Sequence, residues 1–327
     1  MKKASYEFAS MLAPEFQGYF ALRESQGHQH TREFHYFKRL DQYIIEKNVT
    51  EKSITAPIIE GWVQSLPSEM SVNTKIVYIS HYSQFAKYLN TLGIAAFVPE
   101  RPMDDKSYTP YVFTEDEIAR LFSAADNLVN TGNDFGFANL DFPLIMRILY
   151  GCGLRLNEAL RLLVGDFDLH SGVLLIRSAK GNKDRLVPMD CTLANILDKY
   201  VSLNHRDSSK DALLFSTRKG VRHSDAIVRF WFNKSLEAAG IEKPTLPRYT
   251  RNICLHCLRH TFAVHSFRKQ DLAGVDMYAA EPFLSVYMGH TRLYGTETYL
   301  HMTAENSADV IEKTTAYTDG LFPEVPR

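Results

Sequence analysis

Four short stretches of this 327-residue chain gather polar side chains that a hydrophobic core would exclude. Arg155 follows the double-glycine break of "GCGLR", with Glu158 three residues on. Lys180 lies in "IRSAKGNKDRLVPM", a pattern of strand, turn and strand that puts Lys180, Lys183 and Arg185 at the tip of a hairpin. "HCLRH" sets His256 and Arg259 three residues apart, on one face of a helix or of its approach, with His260 next in line. "GHTRLYGTETYLHM" adds His290, Tyr294, Tyr299 and His301. Guanidinium forks neutralise oxyanions, imidazole and ammonium move protons, and a phenol is a nucleophile once its proton is taken. Each stretch also has an ordinary reading. Arg155 and Glu158 fit a surface i, i+3 pair, the two lysines fit a solvated turn, and His256 fits a hydrogen-bonded core histidine.

Taken together and in this order, the stretches resemble the active-site motifs of the tyrosine recombinases, the phage-integrase family of site-specific DNA recombinases. "GLRLNEALRLLVGDFDL" matches the first arginine box, "IRSAKGNKDRLVPM" the lysine hairpin, "HCLRHTFA" the second box and "MGHTRLYGTETYLH" the last. The resemblance spans residues 114–302. It implies that Arg155 and Arg259 clamp a phosphate, that Lys180 is the general acid, and that His256 and His290 handle protons or bind the phosphate. Tyr299 falls nine residues past His290, at the nucleophile position, whereas Tyr294 fits a turn or a packing contact. Glu158 takes an acidic position that buttresses the site; Lys183, on a basic position of the same hairpin, and His260 are supporting residues. The chain departs from the pattern twice, with Ala179 where the family has glycine and Cys257 where it has an acidic residue.

The implied chemistry suits these residue types. A phenol attacking a phosphodiester needs the equatorial oxygens neutralised, and two guanidiniums do so with fixed geometry and without a metal. Tyrosine has a free pKa of about 10, so attack at neutral pH needs a proton acceptor, for which His256 is the obvious group. The 5′-hydroxyl leaving group takes a proton from Lys180. A 3′-phosphotyrosyl link would conserve the bond energy, so neither ATP nor any cofactor is expected. The implied partners are double-stranded DNA carrying a specific recombination site and further copies of the chain, a dimer on each site and a tetramer in synapsis. Accessory DNA-bending proteins are a further implied partner. Two rivals stand beside this reading: a type IB topoisomerase-like enzyme that shares the chemistry but relaxes DNA without exchanging partners, and a DNA-binding regulator that keeps the fold but has lost cleavage. The full set from Arg155 to Tyr299 speaks against the second, because binding alone needs no nucleophile at fixed spacing. Cys254, His256, Cys257 and His260 suggest zinc, but at about 100° per residue the thiols project away from the histidines.

The elements that must position these groups are mainly helical. Phe34, Phe37, Leu40 and Ile44, then Ile58, Trp62, Val63 and Leu66, then Ile76, Ile79, Phe85 and Leu89 repeat at helical spacing. "VPERPMDDKSYTP" denies both helix and core. After it, Thr114 and Glu117 have the spacing of a capping box. "FPLIMRILY", "NEALRLL", "HSDAIVRFWFNKSLEAAG" and "LHCLRHTFAVHSFRK" read as helices, "GVLLIRSA" and "RLVPM" as the hairpin strands, and "ALLFST" as one more short strand. The expected architecture is mainly α with a small antiparallel sheet in the C-terminal part. The expected domains are a helical, SAM-like core-binding domain at 1–98, a linker at 99–113, a catalytic domain at 114–303 and a tail at 304–327 that is either exchanged between protomers or folded back on its own domain. By resemblance, the two domains clamp DNA.

The bulk numbers set outer bounds. A chain that is 45% hydrophobic and 23% charged has an ordinary globular composition. No apolar run spans a bilayer, and the start, Met1, Lys2, Lys3 and then Glu7, lacks a signal-peptide core, so a cytoplasmic protein without membrane attachment is expected. Four cysteines are too few and too scattered for a disulfide scaffold. The net charge of −1 hides an asymmetry: residues 155–269 hold 20 Lys or Arg against 11 Asp or Glu, and residues 270–327 hold 3 against 9. That fits a basic surface for a polyanion beside an acidic tail.

Overall fold

A computed structural model describes residues 6–27, 33–103, 109–128, 137–179, 183–246, 251–290, 296–297 and 299–300. Lys180, Tyr294 and the tail at 304–327 lie outside the described residues. The chain divides into two compact units, Met1–Thr109 with Thr245–Arg251, and Pro110–Pro244 with Asn252–Arg327.

The first unit packs α1 (Ala13–Ser25), α2 (Glu33–Glu46), α3 (Ala56–Ser65) and α4 (Val72–Thr91) around an aromatic core. Phe37, Leu40 and Ile44 share one stripe of α2, as their spacing demands, and are buried with Trp62 and Phe85. Phe16 stacks on Phe85 with ring centroids 4.6 Å apart. The Ser71 hydroxyl caps α4 by accepting from the Thr74 amide at 3.2 Å.

The second unit opens with α5 (Glu115–Asp126), whose first turn carries the full capping box: the Thr114 hydroxyl accepts from the Glu117 amide at 3.1 Å and the Glu117 carboxylate from the Thr114 amide at 2.8 Å. Next comes α6 (Phe142–Gly151), apolar nearly all round and buried at its centre, as a helix with that composition must be. Then follow α7 (Leu156–Ala159), β1 (Phe167–Asp168), β2 (Val173–Ala179), β3 (Lys183–Pro188), α8 (Cys191–Asn204), α9 (Asp225–Ala238), α10 (His256–Leu272) and α11 (Met277–Met288). The sheet is antiparallel in the order β1-β2-β3, with Leu174 opposite Val187 and Ile176 opposite Arg185.

Three local expectations need correction. "NEALRLL" is helical only for the single turn of α7, because Leu162 and Val164 exchange backbone hydrogen bonds with Leu214 and Ala212, which pulls the chain out of the helix. The same pairing leaves "ALLFST" with isolated bridges, Leu163 to Leu213 and Ser216 to Arg222, in place of a strand. Arg185 sits within β3 and away from the tip. Strand alternation turns Leu186 outward and Val187 and Arg185 inward.

Candidate active site

Four elements of the second unit bring the motif residues together. The glycine break after α6 delivers Arg155 and Glu158 at the start of α7, β3 contributes Arg185, α10 contributes His256, Arg259 and His260, and the end of α11 leads to His290 and on to Tyr299. His256, Arg259 and His260 share a face of α10 because three- and four-residue steps return to the same side of a helix. His256 is exposed at the first turn, whereas Arg259 is 1% exposed.

A buried guanidinium must be satisfied. Arg259 donates to the carbonyl of Gly153 and, at 2.8 Å, to that of Met288, which uses two of its five N–H groups. Gly153 has φ +58°, and a β-carbon there would lie 2.5 Å from the Phe262 ring, so only glycine lets this carbonyl reach Arg259. Gly289 does the same on the other side. With φ +68° it ends α11, a β-carbon would crowd the Arg185 guanidinium, and its carbonyl accepts from Arg155 at 3.3 Å.

Glu158 sits between the other two arginines. Arg185 grips both carboxylate oxygens at 3.0 and 2.9 Å, and Arg155 adds a side-chain bond at 2.8 Å and a backbone bond at 2.9 Å. Burial alone would push this carboxyl up, but the hydrogen bonds from Arg185 and Arg155 and the Arg185 charge hold it at about 2. Arg185 also donates through Nε to the Tyr287 carbonyl at 3.0 Å, which ties β3 to α11.

The Tyr299 side chain is buried, at 4% exposure, and its Oη is hydrogen-bonded to Nδ1 of His260 at 2.9 Å. The His256 and His260 rings meet edge to face with centroids 4.6 Å apart, and the His290 ring lies near-parallel to that of Tyr299 at 6.2 Å. His290 Nδ1 pairs with the buried Thr296 hydroxyl at 2.7 Å. Burial raises the Tyr299 phenol, while the charges of Arg259 and Arg155 pull it back down. Burial, then the charges of Arg259, Arg155 and Arg185, press His290 down to about 4, so it is a neutral imidazole at neutral pH. Burial and the neighbouring Arg155 charge lower Arg259 to about 10, which still leaves it charged.

Beside Arg155 opens a cavity of about 420 Å³, lined also by Arg161, Arg177, Arg229, Cys254 and His256. The arrangement therefore holds three guanidiniums against one carboxylate, next to a basic opening and a phenol on an imidazole. Its excess positive charge suits an anion, and the phenol is placed among groups that can take up its proton.

Of the residues named from the motifs, Arg155, Glu158, His256, Arg259, His260, His290 and Tyr299 meet in space. Lys183 is described only as the first residue of β3. Among the described residues no group of three or more His, Cys, Asp or Glu is placed to hold a metal ion. No described helix is long and apolar enough to cross a membrane. Two participants lie outside the motif assignments, Arg185 and Thr296. Arg185 was legible from its two-residue step to Val187, while the partnership of Thr296 with His290 leaves no local signal.

The family model of the phage integrase family matches residues 111–306. A tyrosine recombinase of Thermosipho africanus is 30% identical over 242 residues, covering 72% of this chain and 74% of that protein. The tyrosine recombinase XerD of Listeria monocytogenes is 27% identical over 297 residues, 86% of this chain and 89% of its own. In fold, the chain is similar to the XerH site-specific recombinase in a post-cleavage complex with a palindromic difH substrate, at a TM-score of 0.65 and 19% identity over 85% of this chain and 77% of that one. It is likewise similar to a lambda integrase dimer bound to a COC′ core site, at a TM-score of 0.62 and 14% identity over 88% and 94% of the two chains.

Proposed function

Since this chain belongs to the phage integrase family of tyrosine recombinases, we propose that it breaks and rejoins DNA strands at a specific recombination site through the phenol of Tyr299. The observation that carries this reading is the hydrogen bond between Tyr299 Oη and His260 Nδ1, at 2.9 Å, beside the buried Arg259. In this reading the two remaining faces of the charge cluster, Arg155 and Arg259, take the non-bridging oxygens of the scissile phosphate. Their charge is worth most in the transition state, where the phosphate carries most negative charge.

The phenol proton leaves toward the His256–His260 pair, the phenol oxygen forms the bond to phosphorus, and the 5′-oxygen departs with a proton from Lys180 on the β2–β3 hairpin. Lys183 is a supporting, positively charged residue on the same hairpin. His290, neutral and held by Thr296, donates to a phosphate oxygen. Glu158 does not react; held by Arg185, it fixes the fork of Arg155. A second 5′-hydroxyl reverses the step and rejoins the strands. Neither ATP nor a cofactor enters this scheme.

The wider assembly is what the family resemblance implies. The unit at 1–98 is a core-binding domain that closes with the catalytic domain, 114–303, as a clamp on duplex DNA across a linker at 99–113. Dimers fill each site, tetramers form the synapse with the tail at 304–327 exchanged between protomers, and accessory DNA-bending proteins assist. The protein works in the cytoplasm, on the nucleoid.

The test uses the DNA flanking its own gene as the source of candidate sites. On a duplex nicked beside the cleavage point, the protein is expected to accumulate a covalent adduct at a 3′ phosphate, and on plasmids carrying two sites to exchange strands. Relaxation of supercoiled DNA without exchange would replace the recombinase reading with a topoisomerase one, and no adduct on any flanking site would overturn both.

A further inference from the structure

We propose that Cys254 and Cys257 are a redox-modification site that closes into an intramolecular disulfide in exchange with low-molecular-weight disulfides. The two sulfurs lie 3.9 Å apart, and the Cys254 amide is directed at the Cys257 sulfur at 3.4 Å. A bond needs about 2.05 Å, an approach that side-chain rotation and a small shift of the turn before α10 supply. The two thiols are unlike in access. Cys254 is partly exposed and lines the 420 Å³ cavity with Arg155, Arg229 and His256, whereas Cys257 is fully buried. The pair divides the labour of thiol exchange accordingly, with an attacking thiol open to a small molecule and a resolving thiol behind it. The surroundings favour the thiolate on the outer sulfur: the neighbouring Cys257 thiol, two backbone amides and Arg229 draw the Cys254 thiol down against its partial burial, and the same pairing pushes Cys257 up.

In the exchange, the Cys254 thiolate attacks one sulfur of the small disulfide, forming a mixed disulfide and releasing one thiolate. The Cys257 thiol gives up its proton and attacks the Cys254 sulfur, which forms the internal disulfide and releases the second small thiol. The protein loses two protons and two electrons, and one small disulfide takes them up to become two thiols.

His256 lies between the two cysteines, and Arg259 and His260 follow within the first turn of α10, whose entry is fixed by the Cys257 amide donating to the Cys254 carbonyl at 2.8 Å. Drawing the sulfurs together therefore moves the residues that hold Tyr299. The consequence for cleavage rests on the proposed function; formation of the disulfide does not.

The experiment takes the full chain with its exposed Cys191 replaced (Cys191→Ser) and treats it with oxidised glutathione. Residues 252–259 fall in one tryptic peptide, expected to lose two hydrogens and to regain them with dithiothreitol. Cleavage of the nicked duplex is expected to fall by about a hundredfold, the scale for a misplacement of about 1 Å at reacting groups, and to return on reduction. Cys257→Ser should stop at the glutathione adduct on Cys254, and Cys254→Ser should keep its cleavage through the treatment. A peptide that retains both thiols, or that carries only glutathione in the unmodified pair, overturns the proposal, as does equal loss of cleavage in Cys254→Ser. If the untreated protein cleaves nothing while the peptide still closes, the recombinase reading falls and the thiol pair stands.

Discussion

In the first unit the buried carboxylate of Asp41 receives the Tyr6 hydroxyl at 2.7 Å and the amides of Ala9 and Ser10 at 3.1 and 3.0 Å, so every donor aimed at it is consumed in holding the chain end onto α2. In the second unit the buried charges do not balance: Arg155, Arg185 and Arg259 face the single carboxylate of Glu158, and the arginines spend only part of their N–H capacity on it and on backbone carbonyls. Both clusters satisfy the rule that buried polar groups find partners. The first meets one negative charge with neutral donors alone, whereas the second leaves positive charge over. A fold keeps uncompensated positive charge out of water at a cost, and the return is an anion that arrives later.

The first way to break this contrast is to remove one of the spare cations. Arg259→Ala should lower cleavage of a nicked duplex by about a hundredfold or more, with DNA retention in gel shifts changed far less. Cleavage at the unaltered rate in a folded Arg259→Ala protein would show that the excess charge serves packing. Asp41→Ala should do the reverse. It strands one buried and two part-buried donors and costs the first unit about 2 kcal/mol in denaturant unfolding, while the second unit keeps its own unfolding midpoint.

How far the two clusters are legible in the sequence differs for a physical reason. Thr114 and Glu117, the α2 stripe and the hairpin strands obey rules that act over three to seven residues, and they are found where those rules put them. The helical spacing of "NEALRLL" is equally clear, yet pairing of Leu162 and Val164 with a segment some fifty residues on ends the helix after one turn. Arg185 is readable from its step to the buried Val187, but grouping it with the basic hairpin residues hides that. The motifs name Tyr299 and His260 only through resemblance, because their hydrogen bond joins residues 39 apart. Asp41 carries no motif at all, and its partners are 31 to 35 residues away.

Smaller effects sharpen the same contrast. His290 is pressed down to about 4 from a free value of 6.5, so below pH 6.5 the unfolded chain takes up the proton first, and the associated stability is lost as the pH falls toward 4. Glu158, held near 2 against a free 4.5, adds a second loss below pH 4.5. Thermal midpoints of the full chain should decline from pH 6.5 downward, and His290→Gln should flatten the upper part of that decline. The smallest change is expected from Arg185→Lys. An ammonium keeps the charge but not the two-pronged grip on Glu158, so cleavage should drop only a few-fold, through the loosened Arg155.

The most direct test of the central claim is Tyr299→Phe, which deletes one oxygen from a buried ring and leaves its packing in place. On the nicked duplex the unaltered protein is expected to accumulate a covalent protein–DNA adduct and the Tyr299→Phe protein none, although both bind the DNA. An adduct trapped by the Tyr299→Phe protein would show that another residue attacks the phosphate and would contradict the account.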